Sequence, residues 1–142
     1  MKKIRVLFVC THNSARSQMA EAFLNALGGG RFEAESAGLE PGKLNPLAVE
    51  VMKEIGFDLT KKNTDSVFDF YKEGRRYNHI IYVCEKETED KCPIFAGLGE
   101  AHSWPFPDPQ KLKGSHDEKL EETRKIRDKI KSKVEGWIKE LN

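Results

Sequence analysis

Two short apolar runs dominate the hydrophobic pattern of the chain, at residues 4–9 and 79–84. Both are too short for an ordinary helix and are rich in β-branched side chains, so each predicts a strand. Neither run alternates with polar residues, which is typical of strands that are buried on both faces of a parallel sheet. Weaker patterns predict two further strands at residues 32–36 and 101–106.

Helical spacing of apolar residues fills the segments between and after these strands. Helices are predicted over residues 17–27, 46–55, 67–71 and 118–141. Asn45 and Pro46 have the residue types of a helix N-cap and first helical position. The alternation of strands and helices predicts an α/β fold, with four parallel strands and helices on both faces. We expect one domain that spans residues 1–142.

Cys10 stands where the first strand ends, and Arg16 opens the first helix. A loop of small and polar residues between a strand and a helix can direct its N–H groups at a bound oxyanion. Arg16 would add a planar fork of donors, and the same positive environment would favour the thiolate of Cys10, a nucleophile. The candidate oxyanion-binding residues are Thr11, His12, Asn13, Ser14, Ala15, Arg16 and Ser17. The alternative is that Cys10 is only a small buried apolar residue.

The composition of the chain limits the classes of binding partner that we expect. The chain has 142 residues, 24 Lys or Arg and 23 Asp or Glu, and a net charge of +1. This balance gives no electrostatic reason to expect nucleic acid or membrane binding. No apolar run reaches the length of a membrane span, and the start shows no signal-peptide pattern. We therefore expect a cytoplasmic monomer.

Cys84 and Cys92 are the other two cysteines of the chain. Three cysteines cannot all pair, which argues against a structural disulfide framework, and the seven-residue spacing is not that of a zinc site. Thiols can also supply electrons through relayed disulfides. The sequence leaves two readings open: a redox pair, or one buried and one surface thiol without a role.

The stretch CTHNSARSQMAE, residues 10–21, resembles the phosphate-binding loop of low-molecular-weight tyrosine phosphatases and, more closely, that of the related thioredoxin-coupled arsenate reductases. The resemblance continues through ESAG at 35–38, Asn45-Pro46, Thr64-Asp65 and Asp108-Pro109. It covers most of the chain. It implies the phosphatase fold, with Cys10 as nucleophile, Arg16 on the oxyanion and Asp108 as general acid.

The same resemblance implies a mechanism for arsenate reduction. Cys10 would attack arsenate, Cys84 would attack Cys10 to release arsenite, and Cys92 would attack Cys84 to leave a disulfide that thioredoxin reduces. The cysteine spacing is one residue longer than is usual in the family, and Pro107 stands where the reductases more often have a second Asp.

The resemblance also implies a possible K⁺ ion near the loop, since some of these reductases hold one through side-chain oxygens. The matching residues are Asn13, Glu21, Ser36 and Asp65. The alternative for each is an ordinary role in the loop, on a helix surface or in a cap. No other cofactor is expected.

Three functions therefore stand as hypotheses. The first is a thioredoxin-fed arsenate reductase. The second is a phosphatase acting on phosphotyrosine or a small phosphomonoester through Cys10, Arg16 and Asp108. The third is a non-catalytic oxyanion-binding or redox-sensing module.

Overall fold

A four-stranded sheet forms the centre of the computed structural model, which describes residues 3–84 and 99–141. Its strands are β1 (Ile4–Cys10), β2 (Phe32–Gly38), β3 (His79–Tyr82) and β4 (Glu100–Ser103). Their order across the sheet is β2-β1-β3-β4, and every neighbouring pair is parallel. The predicted α/β fold with four parallel strands is confirmed.

Four helices and one 3₁₀ turn accompany the sheet in the described residues. They are α1 (Arg16–Leu27), α2 (Pro46–Lys53), α3 (Val67–Lys72), the 3₁₀ turn (Pro109–Lys111) and α4 (His116–Glu140). As predicted, the Asn45 side chain caps α2, accepting a hydrogen bond from the Leu47 N–H at 2.8 Å. Helix α4 begins two residues before its predicted start because Ser115 and Glu118 form a capping box there.

Two strands end earlier in the structure than the sequence predicts. Strand β3 ends at Tyr82, so Cys84 lies just beyond it. Strand β4 ends at Ser103 rather than at residue 106. Pro105 and Pro107 follow directly, and proline has no N–H to donate to a neighbouring strand.

Strand β1 is buried on both faces, as its unbroken apolar pattern predicts. Val6 and Phe8 belong to a cluster with Met19 of α1 and Ile130 of α4, and all four side chains have no exposed surface. Leu7 and Val9 face a smaller cluster on the other side, which includes Val67 and Phe70 of α3. This burial fixes β1 firmly, and therefore fixes the point where Cys10 leaves the sheet.

The carboxyl ends of the strands meet at one edge of the sheet. Cys10 pairs in register with Gly38, and Val9 pairs with Tyr82, two residues before Cys84. Ligands of open parallel sheets bind at this edge. Within the residues that the structure describes, no helix is both long enough and apolar enough to cross a membrane.

Candidate active site

The loop between β1 and α1 folds back around the Cys10 sulfur. Cys10 is 2 % exposed, and its Sγ lies 2.9 Å from the Ser17 Oγ. The Asn13 N–H donates to the same sulfur at 3.2 Å. Asn13 makes this turn in the left-handed region, with φ of 54°. A backbone N–H and a hydroxyl directed at one sulfur are suited to hold a thiolate.

Asn13 also holds the loop together. Its side-chain amide donates to the Ser17 Oγ at 2.8 Å, and its Oδ1 accepts from the Asp65 N–H at 2.9 Å. The Gln18 amide donates to the Asn13 carbonyl at 3.1 Å and to the Asn63 carbonyl at 3.0 Å. The loop is therefore tied to α1 and to the segment before α3.

The segment after β2 donates hydrogen bonds to the outward-facing carbonyl groups of the loop. The N–H groups of Leu39, Glu40, Gly42 and Asn45 donate to the carbonyls of Cys10, Thr11, His12 and Ser14 at 2.8–3.2 Å. Within a trans peptide unit the C=O and the next N–H point in opposite directions. The N–H groups that follow these carbonyls therefore point away from the segment after β2, and that of Asn13 reaches the Cys10 sulfur. The concave array of donors around an oxyanion stays a prediction.

Arg16 is the first residue of α1, directly after the loop, and its side chain is held by the proline-rich segment that follows β4. Its side chain is 5 % exposed. Its Nη1 donates to the Phe106 carbonyl at 3.1 Å, and its Nη2 lies 3.6 Å from the Asp108 Oδ2. The structure thus brings Arg16 and Asp108 together, although they are remote in the chain.

Asp108 has a structural role as well as its place beside Arg16. Its Oδ1 caps the 3₁₀ turn by accepting from the Gln110 N–H at 2.9 Å. The Gln110 side chain then donates to the Ser14 Oγ at 3.1 Å. The acid-bearing segment is therefore fastened to the oxyanion loop at two points, through Arg16 and through Ser14.

Cys84 is the second cysteine that the sequence predicts for the site. It is fully buried, and its Sγ lies 3.5 Å from the carbonyl of Val9, the residue before Cys10. Cys10 and Cys84 belong to the same buried cluster. Cys92 and the charged stretch before it lie outside the described residues.

Three of the four residues predicted to hold K⁺ already have partners for their side-chain oxygens: Ser36, Glu21 and Asn13. The Ser36 hydroxyl donates to Glu21 Oε1 at 2.8 Å, and the Asn13 Oδ1 accepts from the Asp65 N–H. The Lys62 ammonium forms an ion pair with Glu21 Oε2. Partial burial raises the pKa of Asp65 from its usual value. A K⁺ ion fits this set poorly, because Lys62 already supplies the positive charge.

Comparison with known proteins places this geometry in a family. Residues 5–142 match the family model of the low molecular weight phosphotyrosine protein phosphatases. The chain belongs to this family. It is 33% identical over 140 residues to an arsenate reductase of Oceanobacillus iheyensis, with 98% of each chain covered. It is also 32% identical to a glutaredoxin arsenate reductase of Synechocystis, with both chains covered in full.

Solved structures of the family have the same fold. One is an arsenate reductase in the phosphate binding state, with a TM-score of 0.78, 30% identity, and 98% of this chain and 99% of that chain covered. A low molecular weight protein tyrosine phosphatase from T. tengcongensis has a TM-score of 0.75 at 25% identity, covering 97% and 99% of the two chains. The resemblance to arsenate reductases of the phosphatase family is confirmed.

Several residues of this family member's site were not identified from the sequence alone. Gln18, Gln110 and Lys62 each contact the loop or its supports. The only sequence signal for Gln18 is its position within the SQMAE motif, on the first turn of α1. Gln110 and Lys62 carry no such signal, since their partners Ser14 and Glu21 are remote in the chain.

Proposed function

We propose that this protein reduces arsenate to arsenite through a thiol–disulfide relay. The observation that carries the proposal is the buried thiol of Cys84 beside the strand that presents Cys10. Hydrolysis of a phosphate ester requires one nucleophilic thiol, whereas reduction of a bound oxyanion requires a second thiol that can reach the first. The names of the relatives with about a third of residues identical agree with this reading.

The first step uses the loop as it stands. Arsenate binds to the inner N–H groups and to Arg16, and the Cys10 thiolate bonds to arsenic. A hydroxyl group of arsenate takes a proton from the Asp108 carboxyl and leaves as water, and Asp108 becomes a carboxylate. Arsenic remains pentavalent in the resulting thiol adduct.

The second and third steps move electrons between sulfurs. The Cys84 thiolate attacks the Cys10 Sγ, the S–As bond breaks, and its electron pair leaves on arsenic as trivalent arsenite. The Cys92 thiolate then attacks the Cys84 Sγ, which forms the Cys84–Cys92 disulfide and frees the Cys10 thiolate. A dithiol protein, thioredoxin in this proposal, reduces that disulfide and restores the starting state.

Potassium is not required in this proposal, because the Lys62 ammonium on Glu21 takes the place of the ion. No other cofactor is needed, since the electrons come from the three thiols and the external dithiol. A monomer in a reducing cytoplasm would suit this chemistry, because the thiols must return to the reduced state after each turnover.

The decisive assay follows NADPH consumption by the full chain with thioredoxin and thioredoxin reductase, with and without arsenate. A parallel assay replaces these proteins with glutaredoxin, glutathione and glutathione reductase. We expect arsenate-dependent NADPH consumption in the thioredoxin assay. The Cys10→Ser variant should show none, because a serine hydroxyl is not ionised under these conditions. Consumption only with glutathione would contradict thioredoxin as the partner but not the reductase itself.

A phosphatase is the second candidate, supported by Arg16 and Asp108 beside the Cys10 loop. Hydrolysis of an aryl phosphate should therefore be measured on the same preparation. Hydrolysis without arsenate-dependent NADPH consumption in either assay would favour the phosphatase. Neither activity in a folded protein would favour the non-catalytic module.

A further inference from the structure

A second cluster of ligand-type side chains lies on β3 and the edge strand β4. His79 opens β3, and Glu100 and His102 lie on the adjacent strand β4. Parallel register pairs His79 with Glu100 and Ile81 with His102, so all these side chains share one face. His79 precedes Cys84 by five residues, roughly 16 Å along an extended strand, so the cluster is separate from the Cys10 site.

The nitrogen and oxygen atoms of the cluster converge. The His79 Nδ1 lies 2.9 Å from the His102 Nε2 and 3.5 Å from the Glu100 Oε2. One ligand atom from each of the three residues falls within 4.8 Å of the other two. A tetrahedral ion with metal–nitrogen distances of about 2.0–2.1 Å separates its ligand atoms by roughly 3.3–3.4 Å. The separations of 2.9 and 3.5 Å lie within about 0.5 Å of that value, and the third, between His102 and Glu100, is no more than 4.8 Å.

The surroundings give the two imidazoles a fixed orientation. The Trp137 ring of α4 packs edge-on against both, with centroids 5.1 Å from His79 and 5.8 Å from His102. The His79 side chain is 16% exposed, whereas the Glu100 side chain is 70% exposed. A hydrated ion could therefore reach the cluster from the Glu100 side without any movement of the core.

We infer that His79, Glu100 and His102 form a binding site for a divalent transition-metal ion of the Zn²⁺ class. Two imidazoles and one carboxylate suit Zn²⁺, Co²⁺ or Ni²⁺ rather than Mg²⁺ or Ca²⁺, which prefer oxygen ligands. Three protein ligands leave a fourth position for water. The ion would replace the proton that the two imidazoles now share, and would link the edge strand β4 to β3. This inference does not depend on the proposed reductase activity.

Cobalt is the sharpest probe, because its absorption spectrum distinguishes ligand types and the chain also carries thiols. The full-length protein is titrated with Co²⁺ at neutral pH, and visible absorption and thermal unfolding are recorded. We expect a visible band of four-coordinate Co²⁺ without the intense near-ultraviolet band of thiolate–cobalt bonds. We also expect a rise in Tm, because an ion that binds only the folded state stabilises it. Mg²⁺ at the same concentration should produce neither change.

Three variants test the assignment. His102→Ala should weaken Co²⁺ binding by more than the roughly 10- to 100-fold that loss of a ligand's hydrogen-bond partner costs. Glu100→Gln should also weaken it, and this change is safe for folding because Glu100 is largely exposed. His116→Ala is the matched control, since His116 and Glu50 form another histidine–carboxylate pair, at 3.4 Å on the surface. That variant should bind Co²⁺ as the wild type does.

Two results would overturn the inference. One is Co²⁺ binding that His102→Ala and Glu100→Gln leave unchanged. The other is a wild-type spectrum with only thiolate-bound Co²⁺, or no spectral change. Either would mean that His79 and His102 form only a hydrogen-bonded pair.

Discussion

Gly38 allows the oxyanion loop to pack directly on the end of β2. A Cβ atom at this position would lie 2.7 Å from the Asn13 nitrogen and 2.8 Å from the His12 carbonyl carbon. Both are backbone atoms, which cannot rotate away as a flexible side chain can. The position therefore requires glycine because of close approach, and the loop geometry depends on it.

We expect Gly38→Ala to displace the loop and to weaken oxyanion binding. The added methyl group should also cost about 1–3 kcal/mol of folding stability, as overpacking does. Phosphate inhibition of the enzyme and thermal unfolding would measure the two effects. Gly42→Ala is the matched control, because its Cβ would meet its nearest neighbour, the His12 Cβ, at an ordinary 3.5 Å. Equal phosphate affinity in the two variants would mean that the close packing at Gly38 does not shape the loop.

Lys62 forms an ion pair with Glu21 of α1, the helix that follows the oxyanion loop. Its ammonium neutralises Glu21, whose side chain is 7% exposed and which also accepts from Ser36. Partial burial lowers the pKa of Lys62, a direction that the negative charge of Asp65 opposes. Removal of the lysine would leave a nearly buried carboxylate without a counter-charge.

We expect Lys62→Met to lower the Tm and to make it depend on K⁺. The loss should be about 1–3 kcal/mol, less than for a fully buried ion pair because Lys62 is 40% exposed. Added KCl should restore stability better than choline chloride of equal ionic strength, whereas the wild type should not distinguish the two salts. Lys61→Met, at the exposed neighbouring position, is the control. A saturable K⁺ effect on the wild-type protein would show that Lys62 does not take the place of the ion.

At the level of elements, the site depends on how the proline-rich segment after β4 meets the loop after β1. The β1 loop was predictable, because an apolar strand, small polar residues and a helix start follow one another within the sequence. The 3₁₀ turn at Pro109–Lys111 was not predicted. It is three residues long, and the Asp108 cap that starts it is a local hydrogen bond without a periodic pattern.

Contacts between residues that are distant in the chain are the other features that the sequence does not predict. His79, Glu100 and His102 converge only because β3 and β4 are adjacent and parallel. The position of Lys62 on Glu21 likewise depends on tertiary packing across 41 residues. Sequence patterns predict faces of elements well, but they do not fix which side chains meet across elements.

Asp108→Asn separates the two roles of this side chain, as the cap of the 3₁₀ turn and as the proposed general acid. The Asn Oδ1 can still accept from the Gln110 N–H, so the 3₁₀ turn should persist. The variant cannot donate the proton that the leaving oxygen needs, and turnover should fall by about 10²–10⁴-fold. Phosphate should bind at least as well, since a carboxylate no longer competes for Arg16. Asp117→Asn, at an exposed position in α4, is the control. Unchanged turnover in Asp108→Asn would mean that another group is the acid.

At the scale of the whole molecule, the candidate active site and the histidine cluster occupy different parts of the sheet. The carboxyl ends of β1 and β3 present Cys10 and Cys84, whereas the two imidazoles lie on β3 and the edge strand β4. Cys84 is buried, so an external dithiol protein has poor access to a Cys10–Cys84 disulfide. A third thiol that exchanges with this disulfide would form a new disulfide for the external protein to reduce. This is the role proposed for Cys92.

Cys92→Ser tests this relay in the complete protein. Without a reductant, the pre-reduced wild type and the variant should each release about one arsenite per molecule, because Cys10 and Cys84 suffice for the first two steps. Peptide mapping should then find Cys84–Cys92 in the wild type and Cys10–Cys84 in the variant. With thioredoxin and its reductase, the wild type should turn over many times while the variant stalls.

Cys84→Ser should release no arsenite, and its hydroxyl can keep the contact with the Val9 carbonyl. Hydrolysis of an aryl phosphate should survive in both variants, which shows that the loop is intact. Equal multiple turnovers of wild type and Cys92→Ser would exclude Cys92 from the relay.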